Sequence, residues 1–191
     1  MKKFLKVCVV ALFVFMLCSC GNSNNIVEID VKDYGKIVIE LYPDIAPKSV
    51  ANFKKLVSQN YYDGMIFHRV INEFMIQTGD PTGTGMGGSE ETIKGEFELN
   101  GFKNRLSHTR GVVSMARRGA NPDTEETMNS ASSQFFIVQA DSTYLDGKYA
   151  AFGKVTSGMD IVDKIAVVDT DSEDKPLKDI VINTIRFKEG E

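Results

Sequence analysis

The chain has only two histidines, His68 and His108, far apart in the sequence. Two imidazoles without a supporting cysteine cluster make a poor zinc site, so neither a metal nor any other cofactor is expected. Cysteine is scarce too: Cys8, Cys18 and Cys20 all fall within the first twenty residues, so a domain beyond them contains no internal disulfide. No Gly-x-Ser-x-Gly elbow occurs, which counts against a hydrolase built on Ser133 and His108. Gly83-Thr84-Gly85-Met86-Gly87-Gly88 lacks both a following Gly-Lys-Ser and a strand-to-helix frame, so it reads as a flexible loop rather than a phosphate cradle. Basic residues are outnumbered, 22 against 26 acidic. A surface of that sign does not suit nucleic acid, whose binding depends on cations meeting phosphate. There is no tryptophan and no internal repeat.

What is present is an ordinary globular composition, 42% apolar and 25% charged over 191 residues, enough for one domain with a substantial core. The start is different. Lys2, Lys3 and Lys6 precede an apolar run from Val7 to Leu17, too short for a confident membrane span and typical of a signal peptide. It ends in Leu17-Cys18-Ser19-Cys20-Gly21, which resembles the bacterial lipobox. Residues 1–19 are therefore expected to be a lipoprotein signal peptide, and 20–25 a lipidated Cys20 with a short tether; ordinary secretory cleavage after Ser19 is the alternative. Extended, the five tether residues reach roughly 17 Å. Without the three signal lysines the 22 basic residues become 19 against 26 acidic, a net charge of −7. Such a domain has no electrostatic pull toward anionic lipid, so attachment to a bacterial cell membrane, on its extracytoplasmic side, would rest on acyl chains at Cys20.

From residue 26 to 191 the pattern is mainly β. Ile26–Val31 and Lys36–Leu41 flank the turn signal Asp33-Tyr34-Gly35 and predict a hairpin. Short apolar runs follow at Met65–Ile71, Phe74–Thr78, Val112–Ala116, Gln134–Val138 and Phe152–Val155, with a β-branched end at Ile180–Phe187. Two segments have helical spacing instead: Val50, Phe53 and Val57 after Pro47, and Met159, Val162 and Ile165. Strands plus two helices fit a small antiparallel barrel or a sandwich. Thr82–Gly88 and Arg117–Ser133 read as long loops.

The chemistry is concentrated in Phe67-His68-Arg69-Val70-Ile71-Asn72-Glu73-Phe74-Met75-Ile76-Gln77-Thr78-Gly79-Asp80 and in Ser132-Ser133-Gln134-Phe135-Phe136-Ile137. An arginine beside apolar strand sequence needs acceptors for its five donors. These segments resemble the two signature segments of the cyclophilin family of peptidyl-prolyl cis/trans isomerases, and the resemblance covers about Val27 to Phe187. It implies a closed eight-stranded antiparallel β-barrel capped by two α-helices, with proline-containing polypeptides as partners and the chain acting as a monomer. It also implies a role for each residue of the site. Arg69 would donate to the prolyl nitrogen in the twisted amide, where resonance is lost, and the flat guanidinium fork suits that task better than a lysine. Phe74, Met75, Phe136 and Leu145 would hold the proline ring, with Gln77 orienting Arg69 and Gln134 lining the groove. Backbone groups of Ala116 and Arg117 would bind the substrate main chain, and His68, Tyr144 and Tyr149 would stand on the rim.

Some positions depart from the family pattern. Tyr144 stands where many eukaryotic members have tryptophan, so cyclosporin, the cyclic inhibitor of the family, is expected to bind weakly. Tyr149 stands where they have histidine, and Thr78 replaces a usual glycine. The Arg117–Ser133 segment is several residues longer than the short form and carries Asp123, Glu125 and Glu126. Read together, these features describe a peptidyl-prolyl isomerase acting on extracytoplasmic proteins. The competing reading is a binding module that holds proline segments without turnover, for which a donor to the prolyl nitrogen would be superfluous.

Overall fold

A computed structural model describes residues 25–188. The expected signal peptide, Cys20 and all but the last residue of the tether lie outside the described residues. The hairpin forms where alternation places it. β1 (Ile26–Val31) pairs antiparallel with β2 (Gly35–Leu41) from Ile26↔Glu40 to Val31↔Gly35. Val27, Ile29 and Val31 point into the core while Glu28 and Asp30 stay half-exposed. The remaining strands are β3 (Arg69–Ile71), β4 (Met75–Thr78), β5 (Val112–Met115), β6 (Phe135–Val138), β7 (Ala151–Ser157) and β8 (Ile182–Phe187). They form one antiparallel sheet in the order β3-β4-β6-β5-β7-β2-β1-β8.

The sheet curls until its two edges meet, and the segment Met65–Ile71 shows how. Its apolar run predicts one strand, yet only Arg69–Ile71 pairs with β4. Residues 64–67 turn to the other edge: Gly64 donates to Ile182 O at 2.8 Å, Ile182 to Met65 O at 2.8 Å, and Phe67 to Ile180 O at 3.0 Å. A change of partner within one apolar run closes the barrel, and periodicity alone does not reveal it.

Both expected helices are present. α1 (Pro47–Ser58) begins at a proline, whose missing N–H costs nothing in the first turn. It buries Val50, Phe53, Leu56 and Val57 against β7 and β8. Phe53 meets the rings of Tyr62, Phe135 and Phe152 at centroid distances of 5.4, 5.2 and 5.3 Å. Ala46 offers this helix no side-chain cap, and Glu96 supplies one from a distant loop. Its buried carboxylate accepts from the Lys48 and Ser49 amides at 2.9 and 2.8 Å and from Ser49 Oγ at 2.7 Å. An acceptor of negative charge suits the positive end of the helix dipole. α3 (Met159–Ala166) packs Ile161, Val162 and Ile165 over the other part of the barrel, against β2, β3 and β4. A third helix, α2 (Glu125–Met128), is a single turn within the long acidic segment, started by a reciprocal Thr124–Thr127 capping box.

The part of the sheet that matters for function has two buried faces. Along β4, β5 and β6, Ile76, Val113, Met115, Phe135 and Ile137 enter the barrel core. Their neighbours Met75, Val112, Phe136 and Val138 face outward, into a second apolar cluster completed by Leu145 and Ala151.

Candidate functional site

The outward cluster forms the floor of a cavity of about 150 Å³. Register places its residues. Arg69 lies opposite Gln77 across the β3–β4 pair, and Gln77 opposite Phe136 across β4–β6, so all three share the outer face. Phe74 and Met75 reach that face from the tight turn joining β3 to β4, where Glu73 adopts φ 59°. Ala116 and Arg117 follow the end of β5, Leu145 ends a 3-10 turn, and Tyr149 precedes β7. All nine of these residues line the cavity. Phe136 and Leu145 are 5% and 8% exposed. The Arg69 side chain keeps 42% of its exposure, so its fork is free to meet a ligand beside an apolar slot.

Tyr144 takes the rim place expected of it, two other expected site residues lie elsewhere, and one expected contact is replaced. Tyr144 is 60% exposed on the rim, its ring 5.9 Å from Phe74, outside the cavity lining. His68 is buried rather than on the rim, because the glycine loop covers it; a Cβ at Gly85 would lie 3.6 Å from His68 Cδ2. Among the described residues neither ring nitrogen of His68 has a well-formed hydrogen-bond partner, the nearest candidate being the Gln134 side chain. Burial pushes its pKa down and so favours the neutral ring, against the opposing field of the Asp80 carboxylate. Gln134 belongs to a second, larger cavity of about 640 Å³ bordered by Met86, Arg118, Ser130 and the glycine loop. Gln77 does not hold Arg69: its amide donates to Gln134 Oε1 at 2.8 Å. The partner of Arg69 is Asp174, with Nε 3.3 Å from Oδ2. Asp174 lies 105 residues further along the chain, and no local signal marks it.

The glycine loop is built around a carboxylate. Asp80 accepts from the amides of Thr82, Thr84 and Gly87 at 2.7, 3.1 and 3.1 Å and from Thr82 Oγ1 at 2.8 Å. Amides that could have cradled a phosphate are therefore already committed. A Cβ on Gly87 would collide with Asp80 Oδ1, so the loop closes this tightly only with glycine there. Gln134 then ties the loop to the strands by donating to Gly85 O and Gly87 O at 2.9 and 2.7 Å. The flexible loop expected from composition is thus a pinned one.

The residues of the hydrolase alternative do not meet. Ser133 Oγ donates to Gly79 O at 2.7 Å and accepts from the Ser89 amide at 3.0 Å. His108 instead bridges Asp146 Oδ1 at 2.8 Å and Ser114 Oγ at 3.0 Å. That array has the partners of a hydrolytic triad, but His108 is 1% exposed and Ser114 fully buried. It supports the cavity floor, with His108 stacked 6.1 Å from Phe136. Among the described residues no group of three or more His, Cys, Asp or Glu side chains could hold a metal ion.

Comparison with known proteins is consistent with this geometry. Residues 26–187 match the family model described as cyclophilin type peptidyl-prolyl cis-trans isomerase. The peptidyl-prolyl cis-trans isomerase ppi1 of Schizosaccharomyces pombe is 46% identical over 149 residues, covering 78% of this chain and 90% of that protein. A cyclophilin type peptidyl-prolyl cis-trans isomerase of Cryptosporidium parvum superposes with a TM-score of 0.77 at 33% identity, covering 87% of this chain and 99% of that one. The same protein solved in the presence of the dipeptide Ala-Pro gives a TM-score of 0.76 at 33% identity, with 86% and 99% covered.

The loop carboxylate generates a prediction about acid stability. Burial pushes the Asp80 carboxyl up, but the amide and hydroxyl of Thr82 and the amides of Gly87 and Thr84 together outweigh it and bring its pKa down to about 2. A depressed folded-state pKa stabilises fully above the unfolded value, about 3.9, and the contribution is lost as pH falls toward 2. Urea unfolding of the wild type should therefore show stability falling between about pH 4 and 2 more steeply than in Asp80→Asn. Parallel pH dependence in the two proteins would contradict the assignment.

Proposed function

Because the chain belongs to the cyclophilin-type peptidyl-prolyl cis-trans isomerase family and so catalyses rotation about Xaa-Pro bonds, we propose that Arg69 is the residue that lowers the barrier and that the 150 Å³ cavity holds the proline ring. The observation that carries this is the placement of a half-exposed guanidinium at the edge of a slot otherwise lined by Phe74, Met75, Phe136, Leu145 and Tyr149. The uncatalysed barrier of about 18–20 kcal/mol is amide resonance. A donor to the prolyl nitrogen favours the pyramidal, twisted state and interacts little with the planar one, so its effect falls on the transition state. Met75, Phe136 and Leu145 are already packed in place, so the ring is held while the preceding carbonyl turns. Asp174 holds Nε and leaves the Nη side of the fork for substrate. Substrates are proline-containing polypeptides, a class consistent with the Ala-Pro dipeptide used with the Cryptosporidium parvum relative.

We further propose that this isomerase works on extracytoplasmic proteins from a lipid anchor at Cys20 in a bacterial envelope. Support comes from the basic start, the apolar run and the Leu17-Cys18-Ser19-Cys20 ending, together with a domain whose first strand begins at Ile26, six residues beyond Cys20. Among the described residues no helix is long and apolar enough to cross a membrane. Two or three acyl chains would hold the protein stably, where one would do so only marginally.

Arg69→Ala should lower kcat/KM on a proline tetrapeptide about 10²–10³-fold, equivalent to about 3–4 kcal/mol of transition-state stabilisation. The urea midpoint should be unchanged, and a folded variant with wild-type turnover would overturn the role of Arg69. Mass spectrometry of the native protein should find Cys20 as an acylated N-terminal residue. An unmodified Cys20 would refute the anchor.

A further inference from the structure

Arg117 enters the family comparison through its backbone, yet its side chain is the more unusual feature. It is 4% exposed, between the rings of Phe97 and Tyr149, with Cζ 5.2 and 4.8 Å from their centroids. Nε donates to Lys148 O at 3.0 Å and Nη1 to Arg118 O at 3.0 Å. Nη1 and Nη2 also grip Asp123 Oδ1 and Oδ2 at 2.7 and 2.9 Å. The other two bidentate arginines among the described residues differ in exposure: the Arg110 and Arg186 side chains are 44% and 43% exposed in their pairs with Asp163 and Asp63. Pairs that wet contribute about 0–1 kcal/mol, whereas a buried guanidinium that loses its carboxylate is left strongly destabilised. Arg117 therefore depends on Asp123.

This pairing joins two parts of the molecule. Asp123 belongs to the acidic segment 119–131, which folds back through the α2 turn and through Ser130 Oγ, acceptor of the Arg118 amide at 2.8 Å. Tyr149, on the other side of Arg117, is a wall of the 150 Å³ cavity and meets Phe136 edge-on at 5.9 Å. We propose that Arg117 and Asp123 are positioning residues for the isomerisation: their clamp lets the folded acidic segment set the place of Tyr149, and with it the fit of the cavity around the proline ring. The proposal rests on that cavity being the proline site. Without Asp123, the guanidinium must turn toward water to satisfy its donors, and Tyr149 loses the cation behind it.

A wall that touches the ring alike in the planar and twisted states affects binding and leaves the chemical step alone. Asp123→Asn should accordingly raise KM for a proline tetrapeptide about 5–10-fold with kcat within about twofold, and should speed amide hydrogen exchange across residues 119–130. Arg117→Lys, which keeps the charge but loses the fork, should do the same. Glu125→Gln, on the exposed face of α2, should match the wild type in all three measurements. If Asp123→Asn is too unstable to assay, Arg117→Met combined with Asp123→Asn removes both charges and should still raise KM. The clamp is overturned if folded variants keep the wild-type KM, if exchange quickens in the segment with no change in KM, or if kcat falls while KM stays fixed. A failure of the Arg69 assignment would look different, as an Arg69→Ala protein with undiminished kcat.

Discussion

Two-residue alternation along β3, β4 and β6 decides which side of the sheet each side chain faces, and the cavity exists because both sides are buried. Val70, Ile76 and Ile137 fill the barrel, while Arg69, Gln77 and Phe136 are delivered together to the outside. A slip of one residue in the β4–β6 pair would send Phe136 inward and Ile137 outward, dismantling barrel core and cavity in one step. Stability and function therefore share one register. The barrel interior, packed around Phe53, Phe135 and Phe152, holds that register rigid.

Around this apolar frame, polar groups serve as fixed spacers. Glu96 caps α1, Asp80 gathers the glycine loop, and Gln134 links that loop to Gln77. The Asp146–His108–Ser114 array supports Phe136 from below. Glu96 and His108 are buried and take their partners from segments distant in sequence, while Asp80, also buried, gathers groups two to seven residues on; removing one of them leaves its partners unpaired, at a cost of about 1–3 kcal/mol per buried group. Arg69 is the contrasting case. Its one side-chain partner among the described residues is half-exposed Asp174 at 3.3 Å, so its fork can exchange partners when substrate enters.

Much of this was legible in the sequence, because the informative residues are close together. The β1–β2 hairpin follows from alternation around Asp33-Tyr34-Gly35, and both capping helices from three- to four-residue spacing. The cavity residues from Arg69 to Gln77 sit on two short strands joined by a turn, so one local segment carries much of the site. What escaped depends on burial or on long-range meetings. Nothing near Arg69 points to Asp174, and an apolar run such as Met65–Ile71 does not announce that it changes partner midway. His68 looked like a rim residue until the glycine loop was seen to cover it. The pairing of Asp123 is hidden as well, because the burial of Arg117, which demands a carboxylate, has no signature in the order of residues.

The account makes one claim on which the others rest: the proline ring sits in the small aromatic cavity beside Arg69 and not in the larger polar one bordered by Met86 and Arg118. Intermolecular NOEs from the ring protons of a bound, isotope-labelled proline peptide test it directly. Contacts to Phe136, Met75, Leu145 and Tyr149 are the expected result, and ring contacts confined to Met86 and Arg118 would contradict it.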